Sequence, residues 1–263
     1  MRRALAPAKV NLTLHVTGRR ADGYHLLDSL VAFADIGDVL HATDGDSLTV
    51  NGPFASGVPI DDTNLIRRAL TLAAAPRAIT VEKNLPHPGG IGGGSSDAAT
   101  ALRLAGADLT TDRLITLGAD LPVCVEARAA TMRGIGEDVA PVAMPSLHAV
   151  LIHPGADLPT ARVFQGLATP RNPPMDPLPD DPDPVAWRAW IARQRNDLEP
   201  PAIAAAPVVA DALDALHHAG AELARMSGSG ATCFGLWPTR AAADAAATAL
   251  ETTGWWVRSC SLA

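Results

Sequence analysis

Between positions 88 and 97 the chain reads PGGIGGGSSD, in which Gly89, Gly90, Gly92, Gly93 and Gly94 are followed by two hydroxyls and a carboxylate. Backbone N–H groups converge on a phosphate only where no side chains stand between them, which is why phosphate cradles use glycine. A helix N-terminus directly behind such a loop adds unpaired donors and the positive end of its dipole. Ser95, Ser96 and Asp97 are N-cap residue types, AATALRLAGA after them is strong helix former ending at Gly106, and AITVEK at 78–83 alternates as a strand. Strand, glycine loop and helix in that order predict a phosphate-binding loop. A flexible linker would not sit between a strand and a capped helix.

Two nucleotide motifs fail at one residue. A dinucleotide fingerprint needs a glycine three residues after Gly92, and a Walker A loop spaced from Gly89 to Gly94 needs a lysine next; Ser95 stands at both positions. The loop must therefore take its cation from another segment. Positive charge is carried by 19 arginines and only two lysines, Lys9 and Lys83, so each lysine is a candidate for work that a planar guanidinium does not do. Lys9 is the expected supplier if the first strand lies beside the loop. The Ser95 and Ser96 hydroxyls can bind phosphate oxygens or a Mg²⁺ ion.

The elements that must position these groups form an α+β pattern. VNLTLHV at 10–16 alternates as a half-buried strand, TGRRADGYH follows as a polar turn segment, and LVAF and SLTV continue as strands. A helix is expected from Asp61 to Ala75 with Asp62 or Thr63 as cap, and another from Thr111 to Leu117. HAVLIHP restarts the pattern near 145, which puts a domain boundary there, giving 1–144 and 145–263. Seven of the fifteen residues from Pro170 to Pro184 are proline, an extended loop by composition. Beyond it come a helix with Trp187 and Trp190, a helix from Pro207 to Ala219, and a strand, turn, strand, helix, strand ending.

Composition narrows the partners. At 263 residues, 48% hydrophobic and 19% charged, the chain can bury a core; a net charge of −7 without a long basic run argues against nucleic acid. No stretch approaches the roughly 20 apolar residues of a membrane span. Cys124, Cys233 and Cys260 lack metal-ligand spacing and suit a reducing, cytoplasmic compartment. The expected state is a monomer or weak homodimer acting on a small molecule.

PAKVNLTLHV at 7–16, PGGIGGGSSDAAT at 88–100 and MSGSGATCF at 226–234 resemble the three motifs of the GHMP kinase superfamily. TGRRADGYH and NDLEP resemble the branch of it that phosphorylates a cytidine diphosphate sugar alcohol. The resemblance implies a ribosomal-protein-S5 domain-2-like N-terminal domain joined to a ferredoxin-like C-terminal domain, with ATP and substrate between them. It carries the catalytic base onto Asp120 and its cationic partner onto Lys9. Pro86, His87, Pro88, Gly89, Gly90, Ile91, Gly92, Gly93, Gly94, Ser95 and Ser96, with Asn64 and Lys83, are implied for ATP. For the substrate, Tyr24 and Phe164 are implied on the two faces of cytosine, His25 at the base edge, and Asn11 and Thr160 on the tail. Gly228, Ser229 and Gly230 are a second glycine turn, set against the substrate diphosphate or the first loop. The DGYH segment argues against a mevalonate or homoserine kinase, and the presence of both Lys9 and Asp120 against a sensor without catalysis.

Overall fold

The computed structural model describes all residues from 1 to 263. Eleven strands and nine α-helices form an α+β molecule whose strands belong to one sheet, ordered β4-β5-β3-β11-β8-β10-β9 along its main path. The centre of the sheet is β3 (His25–Thr43), against which β1 (Arg2–Asn11), β2 (His15–Arg19), β5 (Ala78–Glu82) and β6 (Ala130–Gly134) all pair antiparallel. Opposite Ala8 the register of β1 on β3 slips between Pro7 and Lys9. Such irregularities disrupt the ladder locally, and this one falls immediately before Lys9. Gly37 allows the approach, since a Cβ there would fall 2.0 Å from the Ala6 carbonyl oxygen.

At the same irregularity β3 takes a different partner. Ala34 pairs with Leu262 at the end of β11 (Trp256–Leu262), and Phe33 exchanges both backbone bonds with Ala263. From there β11, β8 (Leu147–His153), β10 (Cys233–Trp237) and β9 (Leu223–Met226) continue antiparallel. β4 (Ser47–Asn51) closes the other edge, parallel to β5.

The expected strand at 10–16 is two strands, because β1 ends at Asn11 and Thr13 turns inward. Its Oγ1 accepts the Leu30 N–H at 2.8 Å and so replaces a ladder bond. The first helix, α1 (Leu65–Leu72), is shorter than the hydrophobic spacing implies and is capped by Asn64, whose side chain accepts the Ile66 N–H at 2.8 Å. Helix α2 (Gly93–Ala105) starts inside the glycine run with Gly92 as its cap, not at the serines. The Gly92 carbonyl takes the Ser96 N–H at 2.8 Å, so Gly93 and Gly94 form the first helical turn. α3 (Thr111–Ile115) and α4 (Leu121–Glu126) follow, with Asp120 at the α4 N-cap position.

Between β8 and β9 lie α5 (Thr160–Gln165), α6 (Pro184–Arg193), α7 (Glu199–Ala205) and α8 (Val208–His218); α9 (Arg240–Leu250) precedes β11. The proline-rich stretch has no regular element, yet it is tied down. Met175 N–H donates to Asp28 at 3.0 Å, and the indoles of Trp187 and Trp190 donate to the carbonyls of Asp181 and Pro177. The three cysteines are buried and unbridged. No helix is long and apolar enough to cross a membrane.

Candidate active site

The glycine loop lies against the end of β1. Lys9 N–H donates to the Ile91 carbonyl at 2.9 Å, and a Cβ on Gly92, which sits at φ +65°, would stand 3.0 Å from the Lys9 Cβ. The first strand therefore does deliver its lysine beside the loop. The Lys9 ammonium is buried and donates to Asp120 Oδ1 at 2.5 Å, while the Asp120 side chain keeps 32% of its surface open. Asp120 makes no capping bond to its own helix, which leaves the carboxylate free to face the cleft.

That cleft has a volume of about 1010 Å³ and is lined by Lys9, Asn11, Tyr24, His25, His87, Pro88, Gly89, Gly90, Gly92, Gly93, Gly94, Ser95, Asp120, Thr160, Phe164, Gly228 and Ser229 among others. Segments more than 200 residues apart thus meet in one place. On its phosphate side the α2 N-terminus and the glycine backbone offer donors to an anion. On the far side the His25 and Phe164 rings stack with centroids 4.8 Å apart and planes at 23°. Tyr24 stands 61% exposed beside them. Phe164 thus meets His25, where the sequence implied an open slot between Phe164 and Tyr24. Burial, with Arg19 nearby, lowers the His25 imidazole below its usual range. The neutral ring presents one donor and one acceptor.

Six sequence candidates do not line the cleft. Pro86 and Ile91 are buried behind the loop. Ser96 is buried with an Oγ that has no hydrogen-bond partner. Asn64 spends its amide on Ile66 N–H and on the Pro59 carbonyl at 2.7 Å. Gly230 faces the glycine loop: a Cβ on Gly90 would fall 2.5 Å from the Gly230 carbonyl oxygen, so the two turns touch backbone to backbone. Lys83 is turned inward and gives its ammonium to Asp38 and, at 2.7 Å, to Asp97.

The sequence did not single out several of the groups that complete this site. Ser227 Oγ accepts the Asn11 N–H at 3.0 Å and donates to the Gly90 carbonyl at 3.1 Å, joining strand, loop and second turn. It lies within MSGSG, one residue before the glycines that drew attention. Arg19, Leu198 and Gln165 also line the cleft; Arg19 sits in TGRRADGYH and Leu198 in NDLEP, both visible in the sequence, and Gln165 directly follows Phe164.

Behind the loop, Thr232 N–H donates to the Gly89 carbonyl at 3.2 Å, and the Thr232 hydroxyl meets His153 Nδ1 at 3.2 Å. Burial lowers His153 to about 4. Below about pH 6.5 the unfolded chain binds a proton there that the folded chain refuses, so stability is intact above that pH and falls as pH drops toward 4. Urea midpoints should fall across this window by an amount equivalent to roughly 3 kcal/mol, and His153→Gln should flatten that part of the profile. An equally steep profile in the variant would exclude His153 as its source.

Residues 63–145 match the GHMP kinases N terminal domain and residues 182–254 the GHMP kinases C terminal family model. A 4-diphosphocytidyl-2-C-methyl-D-erythritol kinase of Paracoccus denitrificans is 55% identical, covering 100% of this chain and 97% of the relative. One of Dinoroseobacter shibae is 56% identical over 96% of this chain and 92% of its own length. Among solved structures, a 4-(cytidine 5'-diphospho)-2C-methyl-D-erythritol kinase superposes with a TM-score of 0.80 at 34% identity, covering 99% of both chains. A homoserine kinase from Cytophaga hutchinsonii shares the fold, with a TM-score of 0.64 at 20% identity over 98% of this chain and 93% of its own.

Proposed function

The chain belongs to the 4-diphosphocytidyl-2-C-methyl-D-erythritol kinases of the GHMP superfamily, small-molecule kinases, and from that premise we propose that it phosphorylates the 2-hydroxyl of 4-diphosphocytidyl-2-C-methyl-D-erythritol with ATP, a step of non-mevalonate isoprenoid synthesis. The observation that carries the reading is the Lys9–Asp120 pair set beside the glycine loop in one cleft. The acceptor oxygen attacks the γ-phosphorus, its proton passes to Asp120, the bond to the β-phosphate oxygen breaks, and ADP leaves. Lys9 holds Asp120 and offers charge to the hydroxyl or the transferring group. Glycine N–H groups, the α2 N-terminus and Ser95 hold the phosphates.

No group of three or more His, Cys, Asp and Glu side chains is arranged to ligate a metal. The fit would be to an ion held mainly by the nucleotide's own phosphates, with the cleft-lining Ser95 hydroxyl as the protein group available to it. When bound, Mg²⁺ supplies neutralisation of the β- and γ-phosphates.

Cytosine enters between Tyr24 and Phe164, moving His25 from the Phe164 face to the base edge; stacking of this kind contributes about 1–3 kcal/mol per base. Thr160 and Asn11 hold the tail, and the buried Asn11 Oδ1, which has no partner within the protein, is an acceptor for a substrate hydroxyl. We place the nucleotide-binding domain at 1–144 and the substrate domain at 145–263. ADP release is the test. Turnover with 4-diphosphocytidyl-2-C-methyl-D-erythritol, and none with mevalonate or homoserine, is the expected result; ATP binding without transfer to any of the three would sink the reading.

A further inference from the structure

The NDLEP segment lies mostly outside the cleft, with only Leu198 reaching it, yet each of its polar side chains is hydrogen-bonded. Asn196 is buried, 5% exposed, and its Nδ2 donates to the carbonyls of Met226 and Gly228, both at 2.8 Å, while its Oδ1 accepts the Leu198 N–H at 2.9 Å. Glu199 Oε2 accepts the Met226 N–H at 2.8 Å. In the other direction the segment is stitched to the connection between β1 and β2. Leu14 N–H donates to the Arg195 carbonyl, Asp197 N–H donates to the Leu14 carbonyl, and Asp197 Oδ2 accepts the Val16 N–H at 2.7 Å.

The turn that Asn196 holds is a wall shared by both halves of the cleft. Gly228 has φ +58°, and a Cβ there would fall 2.9 Å from the Gly90 carbonyl oxygen. Ser229 Oγ lies 2.9 Å from Thr160 Oγ, on the acceptor side. Ser227 bonds Gly90 on the nucleotide side. A displacement of this turn therefore moves both the glycine loop and the acceptor wall.

We propose that Asn196 is a positioning residue for phosphoryl transfer: its amide fixes the 226–230 turn and, through Gly90, the phosphate loop. The inference rests on the reading of the cleft as a kinase site. Asn196→Asp is the informative variant, being nearly isosteric and keeping the acceptor for Leu198. It sets an oxygen without protons against two carbonyl oxygens. Asp197→Asn is the control, because it lies in the same segment, keeps an oxygen for Val16 and does not touch the turn.

ADP affinity by calorimetry, read well below each variant's melting temperature, is independent of the acceptor's identity. It should weaken about tenfold in Asn196→Asp and stay near wild type in Asp197→Asn. Acceptor turnover should fall in parallel, in kcat more than in KM. If Asn196→Asp does not fold, Asn196→Ala, which removes the donors without adding repulsion, takes its place. Wild-type ADP affinity and kcat in a folded Asn196 variant would overturn the proposal, as would an equal loss in Asp197→Asn. A wild-type protein that binds ADP but leaves the methylerythritol substrate untouched would overturn the substrate assignment and not the role of Asn196.

Discussion

Asp120→Asn should lower kcat by about 10²–10⁴-fold while shifting KM for either substrate by no more than a few-fold, since it removes the proton acceptor and keeps the shape. Only the part of an interaction made in the transition state appears in kcat. The carboxylate suits that role by position: it starts α4 without capping it, opens 32% of its side chain to the cleft, and meets a buried ammonium through the same group. The variant also leaves Lys9 without its carboxylate partner at 4% side-chain exposure, so a lower melting temperature accompanies the lost rate. Rates must therefore be compared where both proteins are folded. Lys9→Met tests the other half of the pair. If the two act as a unit, the double variant is little slower than the slower single one, because effects within one catalytic device are not additive. Full kcat in folded Asp120→Asn would remove Asp120 from the role of base.

Much of this site was legible because its chemistry is local in sequence. Five glycines between a strand and a helix can be read without a fold, and the absence of a lysine at position 95 pointed outward to Lys9. What could not be read is which backbone the glycines approach. Gly90 needs its missing side chain for the backbone of Gly230, 140 residues away, as much as for any phosphate. The helix start was misplaced for a related reason. Serines are good N-caps, but the Gly92 carbonyl reaches the Ser96 N–H first, and the serine hydroxyls are released from capping. The strand expected at 10–16 broke because one threonine hydroxyl can stand in for a ladder acceptor, which no alternation pattern reveals. The NDLEP segment was visible as a family mark with no chemistry attached. Its meaning lies in two carbonyls of a turn about 30 residues further along the chain.

Lys83 shows where residue scarcity informs and where it misleads. Its rarity marked it as a working lysine and the resemblance sent it to the nucleotide; in the fold it is 3% exposed between Asp38 and Asp97, with Asp38 also accepting the N–H groups of Asn84 and Leu85. Burial alone would lower the ammonium, but the Asp97 and Asp38 carboxylates raise it. Burial raises the Asp97 carboxyl in spite of Lys83. The cluster touches the site only from beneath, where a Cβ on Gly93 would lie 3.6 Å from the ammonium nitrogen. Lys83→Met fills the same space and leaves two buried carboxyls without a cation. Breaking a buried pair this way costs about 3–5 kcal/mol, which in a chain of this size lowers the melting temperature by about 10 °C. Adding Asp97→Asn should recover part of that loss, because it removes the carboxyl whose Oδ1 has no partner. At temperatures where Lys83→Met is folded, KM for ATP should stay within a few-fold of wild type. A large rise in that KM with little change in melting temperature would instead put the ammonium on the nucleotide, and thermal melts with ATP saturation curves on the same preparation separate the two outcomes.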